Sequence, residues 1–341
     1  MFSTVLGLFS QDLAVDPGTE HTRVWQRGQG IVARMPSLLA LHTDVRGRRA
    51  VLATGASVEP MVGRAPQDIE IVSPIREGCV ADYDVAEAFL LHLFREVHGR
   101  NRWMRPRVVL PVADAAAPVE RRALRDACES AGARGVVQVP RTVAAAVGAG
   151  LEVRDHHGQL LVDLGAGSLE IAVLSRGRPV VSTTLTGGGM AMDQAIADYV
   201  ESSRRVRIAP AQARAIKLAL GSATDAEAKA TRVMGQCTRR AIPTATEIRA
   251  DEVGRTIAPF LDRLVEALTH TVSSLPSGLQ QDIEARGIVL TGGAARLPQL
   301  ATWLSRRTGL HAMLATAPED AVVRGAGRIL EDPRLQRQVA L

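Results

Sequence analysis

The sequence predicts an α/β fold built from two related domains, and three observations lead to it. Residues 160–173 form two apolar runs separated by a loop of one aspartate and two glycines. Residues 12–25 repeat that pattern, and residues 288–306 read as a strand, a diglycine turn and a helix. Strands that alternate with helices are typical of α/β proteins. Internal similarity between distant segments indicates a duplicated domain.

The central hairpin, residues 160–173, reads LLVDLGAGSLEIAV. Two β-forming runs around a glycine loop predict a strand, a tight turn and a second strand. Gly165 and Gly167 let backbone N–H groups point into the turn, so that a bulky anion can approach the chain closely. Because Asp163 would repel a bare phosphate, the loop predicts a magnesium ion between carboxylate and phosphate.

The N-terminal copy, residues 12–25, reads DLAVDPGTEHTRVW. Asp16 aligns with Asp163, and Gly18 aligns with Gly165. The repeat therefore predicts two related domains, each with an aspartate hairpin, that face one another across a cleft.

Composition and charge exclude several classes of protein. The 341 residues carry 41 Lys and Arg against 36 Asp and Glu, and the basic excess is spread along the chain. Short basic runs such as 204–207 have no interleaved aromatic residues, so we expect a solvated surface and no nucleic-acid partner. Cys79, Cys128 and Cys237 indicate neither a disulfide framework nor a zinc site, and they favour a reducing compartment. No signal peptide or membrane span is visible, which predicts a cytoplasmic protein.

The first ten residues have an apolar face. Phe2, Val5, Leu6 and Phe9 fall at helical spacing. Such a helix would lie in a membrane interface or pack on the first domain. The segment carries no Lys or Arg, and the residues by themselves leave both interpretations open.

In the first half of the chain, apolar periodicity and turn residues define the elements. A β-rich insertion is expected before Pro74, because short strand-like runs are separated by turn residues around Gly47. Pro118 suits the first turn of a helix, and Gly132 marks its end. The predicted elements are strands at 31–32, 37–42 and 50–53, a helix at 85–97, a strand at 107–110, a helix from Pro118, a strand at 136–139 and a helix at 142–150.

The second half continues the alternation. The predicted elements are a strand at 180–186, helices at 192–200, 209–222 and 252–274, a strand at 288–291, and helices at 297–306 and 322–330 before a polar tail. The polar stretch before Pro243 is weakly patterned, and no element is predicted there. The glycines at 187–189 and 292–293 precede helices, which fits either an ordinary crossover or a backbone surface for phosphates and a flat ligand.

Glu120 lies in the first turn of the helix that Pro118 opens. The helix dipole stabilises a carboxylate at that position. The residues by themselves therefore favour a capping role for Glu120 over a functional one.

With both hairpins and the diglycine turn identified, the chain resembles the MreB family of bacterial actin homologues. The likeness extends from Phe9 to Gly327. It is carried by GQGIV at 28–32, VERRA at 119–123, AAAVGAGL at 144–151, IK at 216–217, GSA at 221–223 and VLTGG at 289–293.

The resemblance implies an actin-like ATPase fold, with ATP and Mg²⁺ in a cleft between two ribonuclease H-like domains. The first domain would span 1–145 and 318–341, with an insertion at about 33–72. The second would span 146–317, with an insertion at about 187–245. The resemblance also implies self-association into filaments at the inner face of the plasma membrane. There the protein would work with membrane-bound cell-wall morphogenesis proteins and contact the membrane through Phe2–Phe9.

The resemblance also implies roles for individual residues. Glu120 would be the catalytic residue that positions water for in-line attack on the terminal phosphate, and Asp16 and Asp163 would hold Mg²⁺ through water. The implied ATP-binding residues are Asp16, Gly18, Thr19, Glu20, His21, Thr22, Asp163, Gly165, Ala166, Gly167, Ser168, Arg214, Lys217, Gly292, Gly293, Ala294 and Ala295.

Several positions depart from the family pattern. Pro17 removes a backbone donor from the first hairpin, and Glu20 adds a negative charge near a phosphate site. Arg214 stands where relatives usually carry a glutamate facing the ribose, and residues 140–142, Pro-Arg-Thr, replace an acidic pair and a proline. Two hypotheses therefore stay open: a cytoskeletal ATPase, and a divergent scaffold of the same fold with weak or no ATP hydrolysis. A small-molecule kinase is disfavoured, because the second carboxylate that it needs is not found.

Overall fold

The computed structural model describes residues 12–44, 46–76, 79–98, 105–224 and 228–341. The strands are β1 Leu13–Pro17, β2 His21–Gln26, β3 Gly30–Pro36, β4 Leu39–Thr43, β5 Arg49–Thr54, β6 Ile69–Val72, β7 Ile75–Arg76, β8 Cys79–Val80, β9 Arg107–Val112, β10 Gly135–Pro140, β11 Gln159–Leu164, β12 Ser168–Ser175, β13 Arg178–Thr186, β14 Val206–Arg207, β15 Ala230–Cys237, β16 Pro243–Arg249, β17 Ile288–Thr291 and β18 Ala312–Leu314. The helices are α1 Tyr83–His98, α2 Pro118–Ser130, α3 Arg141–Ala149, α4 Gly189–Arg204, α5 Pro210–Leu220, α6 Ala250–Ser273, α7 Ser277–Arg286, α8 Leu300–Thr308, α9 Ala321–Glu331 and α10 Pro333–Val339.

The chain divides into two compact units. The first comprises residues up to 156, 174–182 and 320–341, and the second comprises 157–173 and 183–319. The first unit contains a five-stranded sheet in the order β10-β9-β1-β2-β3, in which β1 is antiparallel to β2 and parallel to β9. All residues of β1 are buried, which is why this strand reads as a nearly continuous apolar run.

A second, smaller sheet follows β3 in the first unit. It has the order β5-β4-β6, with both outer strands antiparallel to β4. Its strands lie within residues 39–72, whereas β3 belongs to the five-stranded sheet.

Helices α3 and α9 of the first unit approach each other through glycine. A Cβ atom at Gly148 would lie 1.8 Å from the carbonyl oxygen of Ala321, and one at Gly325 would lie 1.7 Å from that of Ala144. Only residues without a side chain allow this separation. Because α9 also contacts β1 and β2, it holds α3 close to the first hairpin.

The second five-stranded sheet has the order β13-β12-β11-β17-β18, with β17 parallel to β11 and to β18. A further sheet has the order β14-β15-β16, and its central strand β15 lies in the polar stretch before Pro243 for which the sequence predicted no element. Exposed and half-buried residues alternate along β15. However, Met234 points outward and Thr231 inward, so the apolar alternation that predicts a strand is missing.

The polar tail also differs from the expectation, because it forms α10. Oδ1 of Asp332 accepts hydrogen bonds from the backbone N–H groups of Arg334 and Leu335 at 2.9 and 3.0 Å, and Pro333 occupies the first turn. This is a favourable helix start. The N-terminal segment Phe2–Phe9 lies outside the described residues. Of the helices in the described ranges, none is both long enough and apolar enough to pass through a lipid bilayer.

Candidate functional site

The second aspartate hairpin folds as the sequence predicts. β11 ends at Leu164, β12 begins at Ser168, and the Gly165 N–H donates to the Ser168 carbonyl oxygen at 2.9 Å. Asp163 is 2 % exposed, and its Oδ1 accepts a hydrogen bond from Thr291 Oγ1 at 3.0 Å. The strand pairing of β11 with β17 therefore fixes the orientation of this carboxylate.

The loop of this hairpin packs against the glycine triplet before α4. The N–H groups of Gly187 and Gly189 donate to the carbonyl oxygens of Gly167 and Gly165, each at 3.0 Å. A Cβ atom at Gly188 would lie 2.3 Å from the Gly165 carbonyl oxygen. Two loops without bulky side chains thus meet at the N-terminus of a 16-residue helix, whose dipole favours an anion.

Lys217 reaches this loop pair from α5. Its Nζ donates to the Gly189 carbonyl oxygen at 2.7 Å and contacts Asp193 Oδ1 at 2.8 Å. Burial lowers the pKa of Lys217, while the hydrogen bond to Asp193 opposes that change. Burial raises the pKa of Asp193 against the opposing effect of Lys217. Arg214, one turn earlier on α5, also has its pKa lowered by burial.

The diglycine turn after β17 joins the same cluster. Gly292 has a φ of 84°, and a Cβ atom there would lie 2.2 Å from the Leu164 carbonyl oxygen. The Cβ of Ala294 lies 3.4 Å from the Cβ position of Gly189. Gly293 is exposed, whereas Ala295 is buried. The hairpin loop, the glycine triplet, Lys217 and the diglycine turn are therefore neighbours within the second unit.

The first hairpin, in the first unit, also has the predicted form, with β1 and β2 joined at residues 18–20. The Gly18 N–H donates to the Asp16 carbonyl oxygen at 3.1 Å, and a Cβ atom at Gly18 would lie 2.5 Å from the His21 carbonyl oxygen. Ser37 Oγ donates to the Gly18 carbonyl oxygen at 2.6 Å and lies 2.9 Å from Thr22 Oγ1. Thr22 is fully buried, so its side chain supports the turn from within.

Three half-buried residues complete this turn. The carbonyl oxygen of Thr19 accepts from Ser73 Oγ at 3.2 Å, and that of Glu20 accepts from the Ser37 N–H at 2.9 Å. His21 Nδ1 lies 3.8 Å from Glu20 Oε2. Burial lowers the pKa of His21, so this imidazole is neutral at pH 7 and does not offset the charge of Glu20.

Asp16 does not have the surroundings expected of a magnesium ligand. It is 1 % exposed, and its Oδ1 accepts a hydrogen bond from Arg141 Nη1 at 2.6 Å. A bound Mg²⁺ would have to share this carboxylate with a guanidinium, which carries the same sign of charge. The surroundings of Asp16 therefore do not fit a bound Mg²⁺ ion. The role of Asp163 as a Mg²⁺ ligand stays a prediction.

Glu120 has the capping contact that its position in α2 favours. Its Oε2 accepts a hydrogen bond from the Ala117 N–H at 2.7 Å. The capping interpretation is thus confirmed, because this bond satisfies a backbone donor that the helix leaves without a partner. The catalytic role of Glu120 stays a prediction.

The structure adds two residues that sequence reasoning did not select for the site. Asp193 pairs with Lys217, and Arg141 pairs with Asp16. The departure at residues 140–142 was the sequence signal for Arg141. Asp193 has no comparable signal, because its partner lies on a different helix.

Comparisons with known proteins agree with this architecture. The profile of the MreB/Mbl protein family matches residues 10–338. The cell shape-determining protein MreB of Escherichia coli K12 is 37% identical over 335 residues, which cover 97% of this chain and 96% of the relative. MreB5 of Spiroplasma citri bound to ADP superposes with a TM-score of 0.89 at 25% identity, covering 95% of this chain and 97% of that one. The MamK double helical filament has a TM-score of 0.80 at 19% identity, covering 94% and 99%. The predicted actin-like α/β fold is thereby confirmed.

Proposed function

The chain belongs to the MreB/Mbl family of bacterial actin-like cell shape proteins, and on this premise we propose that it binds ATP and polymerises at the inner face of the plasma membrane. In this role it organises cell-wall synthesis together with membrane-bound morphogenesis proteins. The second candidate function is a scaffold of the same fold with weak or no ATP hydrolysis.

The cluster in the second unit is the observation that carries ATP binding. Three glycine-containing loops meet there at the N-terminus of α4, and Lys217 lies beside them, where its Nζ donates to the Gly189 carbonyl oxygen. Backbone N–H groups, a helix N-terminus and a cation are the groups that bind phosphates. The exposed backbone at Gly293, beside Ala294, offers an open surface for a flat base. MreB5 of Spiroplasma citri, which shares this fold, was solved with ADP bound.

Hydrolysis would proceed by in-line attack of water on the terminal phosphate. Catalysis of this kind depends mainly on positioning and on charge neutralisation. Glu120 is the residue that we propose orients the water, in addition to capping α2. Mg²⁺ would neutralise the charge that develops on the phosphate oxygens when it is bound. The pair of Asp16 with Arg141 and the negative charge of Glu20 are the observations that favour the scaffold.

Self-association is proposed from the family and from the filament formed by MamK, which shares this fold. Filament formation would link ATP turnover to contacts between subunits, so that hydrolysis regulates assembly. Membrane contact is proposed for Phe2–Phe9, because the aromatic residues share one face at helical spacing.

The test of ATP binding and hydrolysis uses the purified full chain with ATP and Mg²⁺. Glu120→Gln keeps an amide oxygen that can accept from the Ala117 N–H, whereas Glu120→Ala loses this acceptor. If Glu120 orients water, we expect Glu120→Gln to bind ATP normally and to release phosphate at least about 100-fold more slowly. Unchanged phosphate release would refute that role. Binding without release by the wild type would favour the scaffold, and no binding at all would refute the proposed ATP site.

Assembly is tested separately by sedimentation with ATP and anionic lipid vesicles. We expect the full chain to pellet as a polymer, and a variant lacking residues 2–9 to form polymer without binding vesicles. A wild-type chain that stays monomeric under all of these conditions would contradict the proposal.

A further inference from the structure

Arg141 is the first residue of α3, a position that does not favour a cation. The N-terminus of a helix carries a partial positive charge, so an arginine there is repelled by the helix dipole. Its side chain is nevertheless only 17 % exposed. An interaction outside the helix must therefore stabilise Arg141 at this site.

That interaction is with the carboxylate of the first hairpin. Arg141 Nη1 donates to Asp16 Oδ1 at 2.6 Å, and the Asp16 side chain is 1 % exposed. A hydrogen bond between two charged groups is short and strong, and it is screened little when the groups are buried or partly buried, as Asp16 and Arg141 are. The charges of the two groups sum to zero, so Asp16 already has its counter-ion.

The start of α3 is held in place by the next residue. Thr142 Oγ1 donates to Asp114 Oδ2, and the Thr142 N–H donates to Asp114 Oδ1 at 3.3 Å. Burial raises the pKa of Asp114, while the hydrogen bonds from Thr142 and Ser182 counter that change. With this turn anchored, Arg141 is directed to Asp16 by the backbone.

We propose that Arg141 occupies the cation position at Asp16, so that Asp16 is not a magnesium ligand in this protein. The guanidinium supplies, from within the first unit, the positive charge that a hydrated Mg²⁺ would otherwise bring to the first hairpin. This inference rests on the proposed binding of ATP. It concerns the first hairpin alone and leaves the metal role of Asp163 undetermined.

The test measures how strongly Mg²⁺ and ATP assist each other. Titration calorimetry gives the ATP affinity with Mg²⁺ and with EDTA, and the quotient of the two affinities is the magnesium coupling. The double variant Asp16→Asn/Arg141→Gln keeps a neutral pair of similar size, and circular dichroism verifies its fold. Because removal of the pair changes the ATP affinity equally with and without metal, we expect the coupling to stay within about twofold of the wild type.

Arg141→Glu is the complementary variant, because it places a second carboxylate beside Asp16. Two adjacent carboxylates attract a divalent cation, so the coupling is expected to rise at least about fivefold. Arg141→Lys keeps the positive charge and serves as the control, with wild-type coupling. A coupling that falls at least about fivefold in the double variant would overturn the inference, since Asp16 would then hold Mg²⁺ despite Arg141.

Failure of the proposed ATP site gives a different result, namely no ATP binding with or without metal. In that case thermal unfolding with Mg²⁺ alone decides the inference. We expect Mg²⁺ to raise the melting temperature of Arg141→Glu by more than that of the wild type, and to affect Asp16→Asn and the wild type equally. A rise in the wild type that Asp16→Asn abolishes would contradict the assignment.

Discussion

The substitution Gly325→Ala is expected to force α3 and α9 apart and to destabilise the first unit. The new Cβ atom would lie 1.7 Å from the carbonyl oxygen of Ala144. Carbon–oxygen contacts are normally about 3.3 Å or longer, so the helices must separate by roughly 1.5 Å. Both partners of this contact are backbone groups, which cannot rotate away as a side chain does.

The free-energy change follows from two opposing effects. Overpacking of a well-packed interior costs about 3 kcal/mol at the upper end of its range. Alanine is more favourable than glycine inside a helix by about 1 kcal/mol. We therefore expect Gly325→Ala to lower the free energy of unfolding by about 2 kcal/mol.

Gly254→Ala is the matched control, because Gly254 lies inside α6 and its Cβ would meet no atom within 4 Å. It should raise the free energy of unfolding by about 1 kcal/mol. Urea denaturation followed by far-ultraviolet circular dichroism measures both variants. If Gly325→Ala proves as stable as Gly254→Ala, the close approach of α3 and α9 is wrong.

Two further predictions concern the second unit. Gly188→Ala places a methyl group 2.3 Å from the Gly165 carbonyl oxygen. It is expected to weaken ATP binding in calorimetry about tenfold or more, whereas Gly278→Ala, with no atom within 4 Å, should not. Burial by itself would raise the pKa of Glu252. The hydrogen bonds from Tyr199 and the Arg249 N–H, together with the charge of Arg204, outweigh the effect of burial, so the pKa is lowered. Glu252→Gln should therefore cost about 2 kcal/mol of unfolding free energy at pH 7. Because its pKa is lowered, the charged Glu252 carboxylate contributes its full stabilisation above pH 4.5, and this stabilisation is progressively lost below that pH. The difference in unfolding free energy between Glu252→Gln and the wild type should therefore shrink in acid. A difference independent of pH in denaturant titrations would refute the role of the charge.

Elements with a strong local pattern could be predicted from the sequence. The two aspartate hairpins combine β-forming runs with glycine turns, so their strands lie where the pattern indicates. The helix α2 was predicted from Pro118 and from its apolar side, and it begins at that residue. Such elements depend on neighbouring residues alone, and neighbours are visible in a sequence.

Elements without such a pattern were missed. The strands β15 and β16 belong to a three-stranded sheet, and both faces of these strands are partly exposed. Their apolar residues therefore do not alternate with polar ones. α10 is short and polar, and it is stabilised by the Asp332 cap and by the burial of Leu335 and Val339. Packing on the rest of the unit decides these elements more than propensity does.

The sequence by itself determined the family, the two aspartate hairpins and the glycine loops of the candidate site, because these features are local motifs. Tertiary structure decided which groups surround the charged residues. Asp16 and Arg141 are 125 positions apart in the chain. Lys217 lies on α5 and pairs with Asp193 on α4. A buried charge is stabilised by whichever group the fold brings within a few ångströms, and that proximity is a property of the packed chain.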